Sequence, residues 1–427
     1  MTVYERPAQA RVAAHAGLTF AGLLAANALT YVFYALVSRV LGVEAYGAFS
    51  SLLAIVFVAS APAAIAQLSV AKLSTEYAGD AEGLAGLVRA IDRLTVTVAG
   101  CAVAIMALAS VPIARFLHLA DPWAVTIAAF ALGGVIALPF FRGVLQGTSS
   151  FKAFALSNVV EGLSKAVFAP LLAMIAGLPG ALAGTALGYA LPSVYTYFAG
   201  QPHRRGAPPS FSLRRAAASS AGVALAVFCI YLLLFFDVIL AKRYLDAHTA
   251  GLYGAAGLAC RALFSITAFI PIVLLPQAAL TAIRGERTRV LFAQAVGLTA
   301  AMCAVTCAAF TLLPVWVITV IAGRSFAAGA PFLAPYVFAM SALAIANVIA
   351  TYNIARGRMA FIVPLAAVAA GEIISVVVRH RSAADLLQTI DVGHPLAVLA
   401  CLTSLAIGPR AARATPAEPS ESTRASA

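Results

Sequence analysis

Long apolar stretches of about 20 residues, separated by short polar and basic connections, fill nearly the whole of this chain. A hydrocarbon core of roughly 30 Å requires a helix of about that length. The pattern therefore predicts an all-α polytopic membrane protein with about twelve transmembrane helices. The predicted spans, numbered one to twelve in chain order, are 16–38, 45–71, 93–117, 122–145, 154–176, 180–200, 216–240, 250–282, 289–316, 329–353, 359–378 and 386–408.

The composition leaves little room for an aqueous domain. Of 427 residues, 62% are hydrophobic and 10% are charged, whereas a soluble domain carries roughly 25% charged residues. The net charge of +12 comes from basic residues in short connections, where membrane orientation and anionic lipid headgroups account for them. Membrane lipids are thus expected partners and nucleic acid is not.

The basic residues also predict an orientation. With a cytoplasmic N-terminus, 19 of the 28 Lys and Arg residues fall in cytoplasmic segments and 7 in the opposite loops. This asymmetry favours cytoplasmic placement of both termini. Arg far outnumbers Lys and Ala is abundant, which is typical of a GC-rich bacterial genome and predicts the bacterial inner (plasma) membrane.

A hydrophilic connection divides the chain into two halves. We predict an N-terminal six-helix lobe over 1–200, a basic cytoplasmic linker over 201–215, a C-terminal six-helix lobe over 216–408 and a disordered cytoplasmic tail over 409–427. The composition of the tail, rich in Pro, Glu, Ser and Ala, is typical of disorder.

An internal repeat supports this division. Four residue pairs share an offset of 204 residues, and in both copies a helix ends in a basic residue before Gly and an aromatic open the next helix. Six helices is an even number, so the second half enters the membrane from the same side as the first, giving parallel repeats. The pairs are Arg39 with Arg243, Leu41 with Leu245, Gly47 with Gly251, and Phe49 with Tyr253.

The run 38–49 (SRVLGVEAYGAF), with its partner 236–245 leading into 250–253, resembles the polysaccharide-export branch of the multidrug/oligosaccharidyl-lipid/polysaccharide (MOP) exporter superfamily, the Wzx-type flippases. The resemblance implies two six-helix lobes around a central cavity that opens alternately to each side. It also implies a cargo, an undecaprenyl-pyrophosphate-linked oligosaccharide for surface polysaccharide, and candidate partners among other polysaccharide assembly proteins.

Ionisable residues at membrane depth are costly and usually face a bundle interior or a cavity. Lys165 and Arg261 lie about eleven residues into spans five and eight, and we expect them to contact the pyrophosphate. A structural alternative stays open for each. Glu161, four residues before Lys165 on the same helix face, is positioned to pair with it, and Asp237 is positioned to pair with Arg261.

Two further arginines are candidates for substrate binding. Arg142 lies near the inner end of span four, and Arg39 lies at the outer end of span one. Long basic side chains at helix ends also reach lipid headgroups, and this alternative stays open for both.

Candidates for coupling transport to an H⁺ or Na⁺ gradient are the carboxylates Glu372, Asp237 and Glu161. Glu372 in span eleven has no obvious local partner, and a lone buried carboxylate can bind and release protons. A neutral Glu372 bonded to a helix neighbour is the alternative. We expect no histidine in mid-membrane, although Asp391 and His394 make span twelve the weakest prediction.

Signals for enzymatic chemistry are absent from the sequence. There is no P-loop, no metal-binding His pair and no nucleophile elbow, so we predict no catalytic residue, no metal site, no bound cofactor and no enzyme. Two other readings stay open: a MATE-like drug or cation antiporter of the same superfamily, and a polymerase or ligase of polysaccharide assembly. A lipid II flippase would differ only in cargo.

Overall fold

The computed structural model describes residues 5–77, 79–204, 213–267, 269–270 and 289–406, and these residues are helical with short connections and no β-strand. Short 3₁₀ helices occupy Gln201–Arg204 and Arg324–Phe332. The α-helices are α1 (Glu5–Glu76), α2 (Ala81–Leu108), α3 (Ser110–Phe116), α4 (Trp123–Gly147), α5 (Phe151–Ala199), α6 (Leu213–Tyr244), α7 (Ala247–Thr267), α8 (Arg289–Leu312), α9 (Pro314–Ile321), α10 (Leu333–Ala355), α11 (Ile362–Val378) and α12 (Ala383–Ala406).

The expected twelve-span architecture is confirmed. Within the described residues, nine helices are long and apolar enough to cross a membrane. Two of them, α1 and α5, each contain two predicted spans joined at a kink, where Gly42 has φ 73° and Gly177 has φ 58°. Glycine adopts such angles at no steric cost. With both halves of α1 and α5 and the shorter helix α11, the described residues provide twelve candidate crossings, six for each lobe.

Some boundaries differ from the prediction. The start of span three at 93 is wrong, because α2 already begins at Ala81, where the Asp80 carboxylate accepts a hydrogen bond of 2.9 Å from the Gly83 amide and caps the helix. Asp246 caps α7 in the same way: hydrogen bonds from Thr249 lower the pKa of its carboxyl.

Other predicted segments lie outside the described residues. These are the part of span eight after 270, most of the linker and the tail over 409–427. The predicted domain boundaries therefore stay predictions.

Small residues let the helices of each lobe approach closely. A Cβ added at Gly143 of α4 would lie 2.7 Å from the Val70 Cβ of α1, and one at Gly162 of α5 would lie 2.7 Å from the Leu29 Cβ. Close backbone approach of this kind drives helix association in membranes. Together α1, α4 and α5 form the centre of the N-terminal lobe, and α10, α11 and α12 pack together in the C-terminal lobe.

The two lobes meet where α1 packs against α6 and α7. At this boundary Gly47 faces Gly251, so that a Cβ on Gly47 would lie 2.9 Å from the Gly251 amide nitrogen. These are two of the residues that the repeat pairs. The helix boundaries continue the same offset of 204, because α2 and α8 end at Leu108 and Leu312.

Candidate functional site

A cluster of three charged side chains lies inside the N-terminal lobe. The Arg142 Nη1 atom of α4 lies 2.8 Å from Glu161 Oε2, and the Lys165 Nζ atom lies 2.7 Å from Glu161 Oε1. The predicted pairing of Lys165 with Glu161 is confirmed. Arg142 joins the same carboxylate instead of standing alone at the end of its helix. All three side chains are mostly withdrawn from solvent, with exposed fractions of 10%, 17% and 5% for Arg142, Glu161 and Lys165.

Neighbouring residues fix both cations in place. Arg142 donates from Nε to Ser157 Oγ and from Nη2 to the Ser157 carbonyl, each at 3.0 Å. The Lys165 ammonium lies 4.8 Å from the centre of the Tyr189 ring, which is a cation–π distance. Gly188, in the second half of α5, leaves the space that the Lys165 stem occupies, because a Cβ there would overlap Lys165 Cγ.

The charges of this cluster do not cancel. Two cations, Arg142 and Lys165, share the single carboxylate of Glu161. Arg is always protonated in proteins, and Lys165 donates to the carboxylate as an ammonium. The cluster therefore carries one surplus positive charge inside the membrane-spanning part of the chain, where an unbalanced charge is costly.

The C-terminal lobe holds a second buried cluster, and its charges do cancel. Arg261 Nη2 of α7 lies 2.8 Å from Asp237 Oδ1 of α6, which confirms the predicted pair. The other carboxylate oxygen of Asp237 accepts hydrogen bonds from the Tyr253 hydroxyl at 3.1 Å and from the Tyr336 hydroxyl. Arg261 also donates from Nε to the Leu234 carbonyl at 2.7 Å. Asp237 is thus saturated and fully buried.

A small cavity of about 40 Å³ lies between the lobes. Arg261 lines its C-terminal wall and Tyr34 of α1 lines its N-terminal wall. Arg261 of the second cluster thus borders the cavity directly, whereas Arg142, Glu161 and Lys165 are not among its lining residues. The other lining residues are Tyr46, Ser50, Leu53, Ala54, Phe57, Phe235, Val238, Gly254 and Leu258.

Glu372 lies beside a histidine. His394 Nε2 is 3.6 Å from Glu372 Oε2, and the His394 ring bonds through Nδ1 to the Ala339 carbonyl at 3.0 Å. His394 is fully buried in the middle of α12, so the expectation that no histidine lies in mid-membrane is wrong. The expectation for Glu372 concerned only local partners, and the neighbour that the structure gives it comes from the next helix.

The oxygens of Glu372 and the Nε2 atom of His394 are buried and make no hydrogen bond with the described residues. A groove of about 550 Å³ between α11 and α12 adjoins them. Glu372, Ser375, Thr389 and Gly393 are among its lining residues. A Cβ on Gly393 would overlap the Glu372 carboxylate, so this glycine makes room for the acid.

Arg39, the remaining candidate, lies apart from the interlobe cavity. It is exposed at the end of the first half of α1, and its guanidinium donates to backbone carbonyls of α9, among them Val320 at 2.7 Å. The sequence placed Arg39 at a helix end, and the structure agrees. The Arg39 side chain forms a contact between the two lobes.

The structure thus joins Arg142, Glu161 and Lys165 in one site and Asp237 and Arg261 in another. The sequence analysis missed several of the neighbouring side chains. Ser157 accepts a hydrogen bond from Arg142, Tyr253 and Tyr336 donate to Asp237, and His394 lies beside Glu372. A signal was present for the tyrosines, because a Tyr hydroxyl in the interior of an apolar helix needs a hydrogen-bond partner.

Residues 12–279 match the family described as polysaccharide biosynthesis protein. The chain belongs to this family. The matched region covers more than half of the chain. It contains every residue of the two charged clusters apart from Tyr336, and it ends before the helices that carry Glu372 and His394. No curated protein sequence matches the chain.

Solved structures of the MOP superfamily share the fold. An inward-facing multidrug resistance MATE family transporter has a TM-score of 0.67 at 14% identity, covering 89% of this chain and 94% of that one. The lipid II flippase MurJ in an inward closed conformation also has a TM-score of 0.67, at 10% identity, covering 91% and 87%. An outward-facing MATE structure has a lower TM-score of 0.60, at 11% identity, covering 90% and 95%.

Proposed function

We propose that this protein is a flippase that moves a lipid-linked oligosaccharide across the bacterial inner membrane by alternating access. The carrier would be a polyprenyl pyrophosphate such as undecaprenyl pyrophosphate, and both termini would be cytoplasmic. Membership of the polysaccharide biosynthesis family and the fold shared with MATE and lipid II flippase structures support this function. The observation that carries it is the surplus positive charge of the Arg142–Glu161–Lys165 cluster.

A pyrophosphate-linked glycolipid matches that charge. Its phosphates are anionic and bind Arg and Lys through charge-assisted hydrogen bonds. Its polyprenyl tail stays in the bilayer, so only the polar head needs a path between the lobes. Arg261 lies on the opposite wall of the interlobe cavity from Tyr34, and it adds a third cation to Arg142 and Lys165. We expect Asp237 to orient this guanidinium rather than to bind cargo.

The conformation supports alternating access. The contact of Gly47 with Gly251 lies at the end of the lobes that the basic loops predict to be outward. We infer that the described state is closed on the outside.

Glu372 is the coupling carboxylate in this proposal. Of the three candidates, Glu161 is held by two cations and Asp237 by Arg261 and two tyrosines, whereas the Glu372 oxygens have no hydrogen-bond partner among the described residues. The groove that Glu372 lines leaves space for water beside this carboxylate. Transport by Glu372→Gln should no longer respond to a proton gradient, and an unchanged response would remove Glu372 from this role. Glu82→Gln, an exposed acid of α2, is the control.

The second candidate function is drug or cation antiport, which the fold shared with MATE transporters favours. The surplus positive charge of the N-terminal cluster argues against it, because like charges repel a cationic substrate. A role as polymerase or ligase of polysaccharide assembly has no comparable support. Association with other polysaccharide assembly proteins is part of the proposal, as they supply and consume the cargo.

Deletion of the gene tests the two candidates against each other. Loss of surface polysaccharide with accumulation of complete lipid-linked repeat units on the inner leaflet is the expected result. Unchanged glycan together with increased sensitivity to cationic drugs would contradict the flippase and favour antiport. Restoration by the wild-type chain on a plasmid, and not by a chain lacking both cations of the N-terminal cluster, ties the result to the site.

A further inference from the structure

Two arginines cross the boundary between the lobes at one end of the molecule. Arg39, at the end of the first half of α1, reaches from the N-terminal lobe to the end of α9 in the C-terminal lobe. Its Nη2 atom donates to the Val320 carbonyl at 2.7 Å, and its Nη1 atom donates to the Ile321 carbonyl at 3.3 Å. Nη1 also donates to the Ala35 carbonyl on its own helix at 2.6 Å, which fixes the direction of the side chain.

Arg243 makes the reciprocal contact. It lies at the end of α6 in the C-terminal lobe and reaches to the end of α3 in the N-terminal lobe. Its Nη1 atom donates to the Phe116 carbonyl at 3.4 Å and lies 2.8 Å from His118 Nε2. Because Arg can only donate, His118 must accept through Nε2 in this arrangement. The guanidinium also stands 5.4 Å from the centre of the Phe116 ring.

The two contacts are related by the internal repeat. The donors Arg39 and Arg243 are 204 residues apart, and so are the acceptors Phe116 and Val320. The short helices that carry the acceptors, α3 and α9, also begin 204 residues apart. Each lobe therefore presents one arginine and one short helix to the other lobe. Because both the donor and the acceptor of this contact recur at the same offset, the contact is a feature of the repeat itself.

The arginines lie at an end where the backbones of the two lobes approach each other closely. Gly47 and Gly251, eight residues beyond each arginine, are in backbone contact across the boundary. Ser38 Oγ adds a buried hydrogen bond of 3.0 Å to the Ala322 carbonyl. The connections that hold these residues all fall on the side that the distribution of Lys and Arg predicts to be outward. All of these bonds must break before the lobes separate there.

We propose that Arg39 and Arg243 are two repeat-related latches that hold the outward end of the interlobe cavity closed and release it once in each transport cycle. The proposal deepens the proposed function, since it rests on alternating access, and it needs no assumption about the cargo. The acceptors are main-chain carbonyls, so each latch depends on helix position and not on a partner side chain. It can therefore re-form whenever the lobes return.

Cysteine labelling in the full-length chain tests the latches. The reporter is Ser50→Cys, which lines the interlobe cavity, in a chain whose exposed Cys101 is changed to Ser. The probe is a membrane-impermeant maleimide, added to the outer side of spheroplasts or to the cytoplasmic side of inverted vesicles. The Cys101→Ser chain without the reporter gives the background.

Arg39→Ala and Arg243→Ala should each increase the labelling rate from the outer side by about tenfold, as expected for loss of hydrogen bonds to a charged group. Labelling from the cytoplasmic side should decrease, because the population shifts outward. The double variant should exceed either single variant. Arg115→Ala in α3 and Arg324→Ala in the 3₁₀ helix after α9 change exposed arginines near the two contacts; they are matched controls and should label as wild type.

Wild-type labelling rates from both sides in the two latch variants would overturn the proposal. Faster labelling from both sides would overturn it as well, because that result indicates general loosening. If either Ala variant is depleted from the membrane, Arg39→Gln and Arg243→Gln carry the same test. Export measured on the same cells distinguishes the two proposals. Lost export with unchanged labelling in the arginine variants would contradict only the latches. Shifted labelling in these variants, with no export by the wild-type chain, would contradict only the flippase.

Discussion

Glu161 and Glu372 occupy equivalent positions in the two lobes, each being the eleventh residue of its helix. A glycine of the following transmembrane segment, Gly188 or Gly393, makes room for the charged group in each lobe. The neighbours differ. Two cations flank Glu161, whereas a single buried histidine lies near Glu372. The same frame thus carries a positively charged site in one lobe and an acidic one in the other.

Removal of one surplus cation should reduce transport and leave folding intact. In Lys165→Met or Arg142→Met the remaining cation still pairs with Glu161, so the amount of protein in the membrane should match wild type. Export should fall by at least about tenfold, because a charge-assisted contact to phosphate is lost. Lys165→Arg keeps the charge and is the control. Surface polymer in the complemented deletion strain is the readout, and full export by both Met variants would contradict the site.

The Asp237–Arg261 pair should behave as a structural unit. Asp237→Asn leaves the buried guanidinium without its counter-charge and should destabilise the protein by about 3–5 kcal/mol. Asp237→Asn combined with Arg261→Met removes both charges and should recover much of this loss. Thermal unfolding of the detergent-purified protein measures both effects. A double variant no more stable than Asp237→Asn would show that the unpaired Arg261 charge does not cause the loss of stability.

Gly188→Ala tests the space beside Lys165. The added methyl group would overlap Lys165 Cγ and lie 3.1 Å from the Lys165 Cα. Overpacking of this kind costs about 1–3 kcal/mol, and it should also displace the ammonium and lower export. Gly100→Ala of α2 meets nothing within 4 Å and should be neutral or slightly stabilising. Equal melting temperatures for the two variants would contradict the packing described.

Gly251→Ala tests the contact between the lobes. Its Cβ would overlap the Val43 carbonyl, which is backbone and cannot rotate away. We expect the outward end to remain partly open, so that the cavity reporter Ser50→Cys labels faster from outside. Gly297→Ala, which meets nothing within 4 Å, is the control. Labelling at the wild-type rate would mean that the lobes tolerate the extra methyl group without separating.

The sequence was sufficient for the number of spans and for two of the ion pairs. The predicted breaks between spans one and two and between spans five and six fall at Gly42 and Gly177, where the backbone leaves the helical conformation and redirects the chain. Glu161 with Lys165 was predictable because residues four apart share a helix face. Asp237 with Arg261 was predictable because the two residues lie in consecutive spans, which place them on neighbouring helices.

Other contacts between neighbouring helices could not be predicted in the same way. Arg142 reaches Glu161 from another helix, and His394 reaches Glu372 from the next one, so both depend on how the helices rotate in the bundle. Segments that are apolar on all sides give no periodicity from which to infer that rotation. The carbonyls that hold Arg39 and Arg243 are main-chain atoms and leave no trace in the residue types.

The most direct test of the proposed function is flipping by the purified protein in liposomes. The substrate is an undecaprenyl-pyrophosphate-linked oligosaccharide with a fluorescent glycan, and a membrane-impermeant reductant quenches whatever reaches the outer leaflet. We expect wild-type protein to make nearly all of the fluorescence quenchable, and the Arg142→Met, Lys165→Met double variant to do so at least about tenfold more slowly. Quenching by the wild type no greater than in protein-free liposomes would contradict the proposed function.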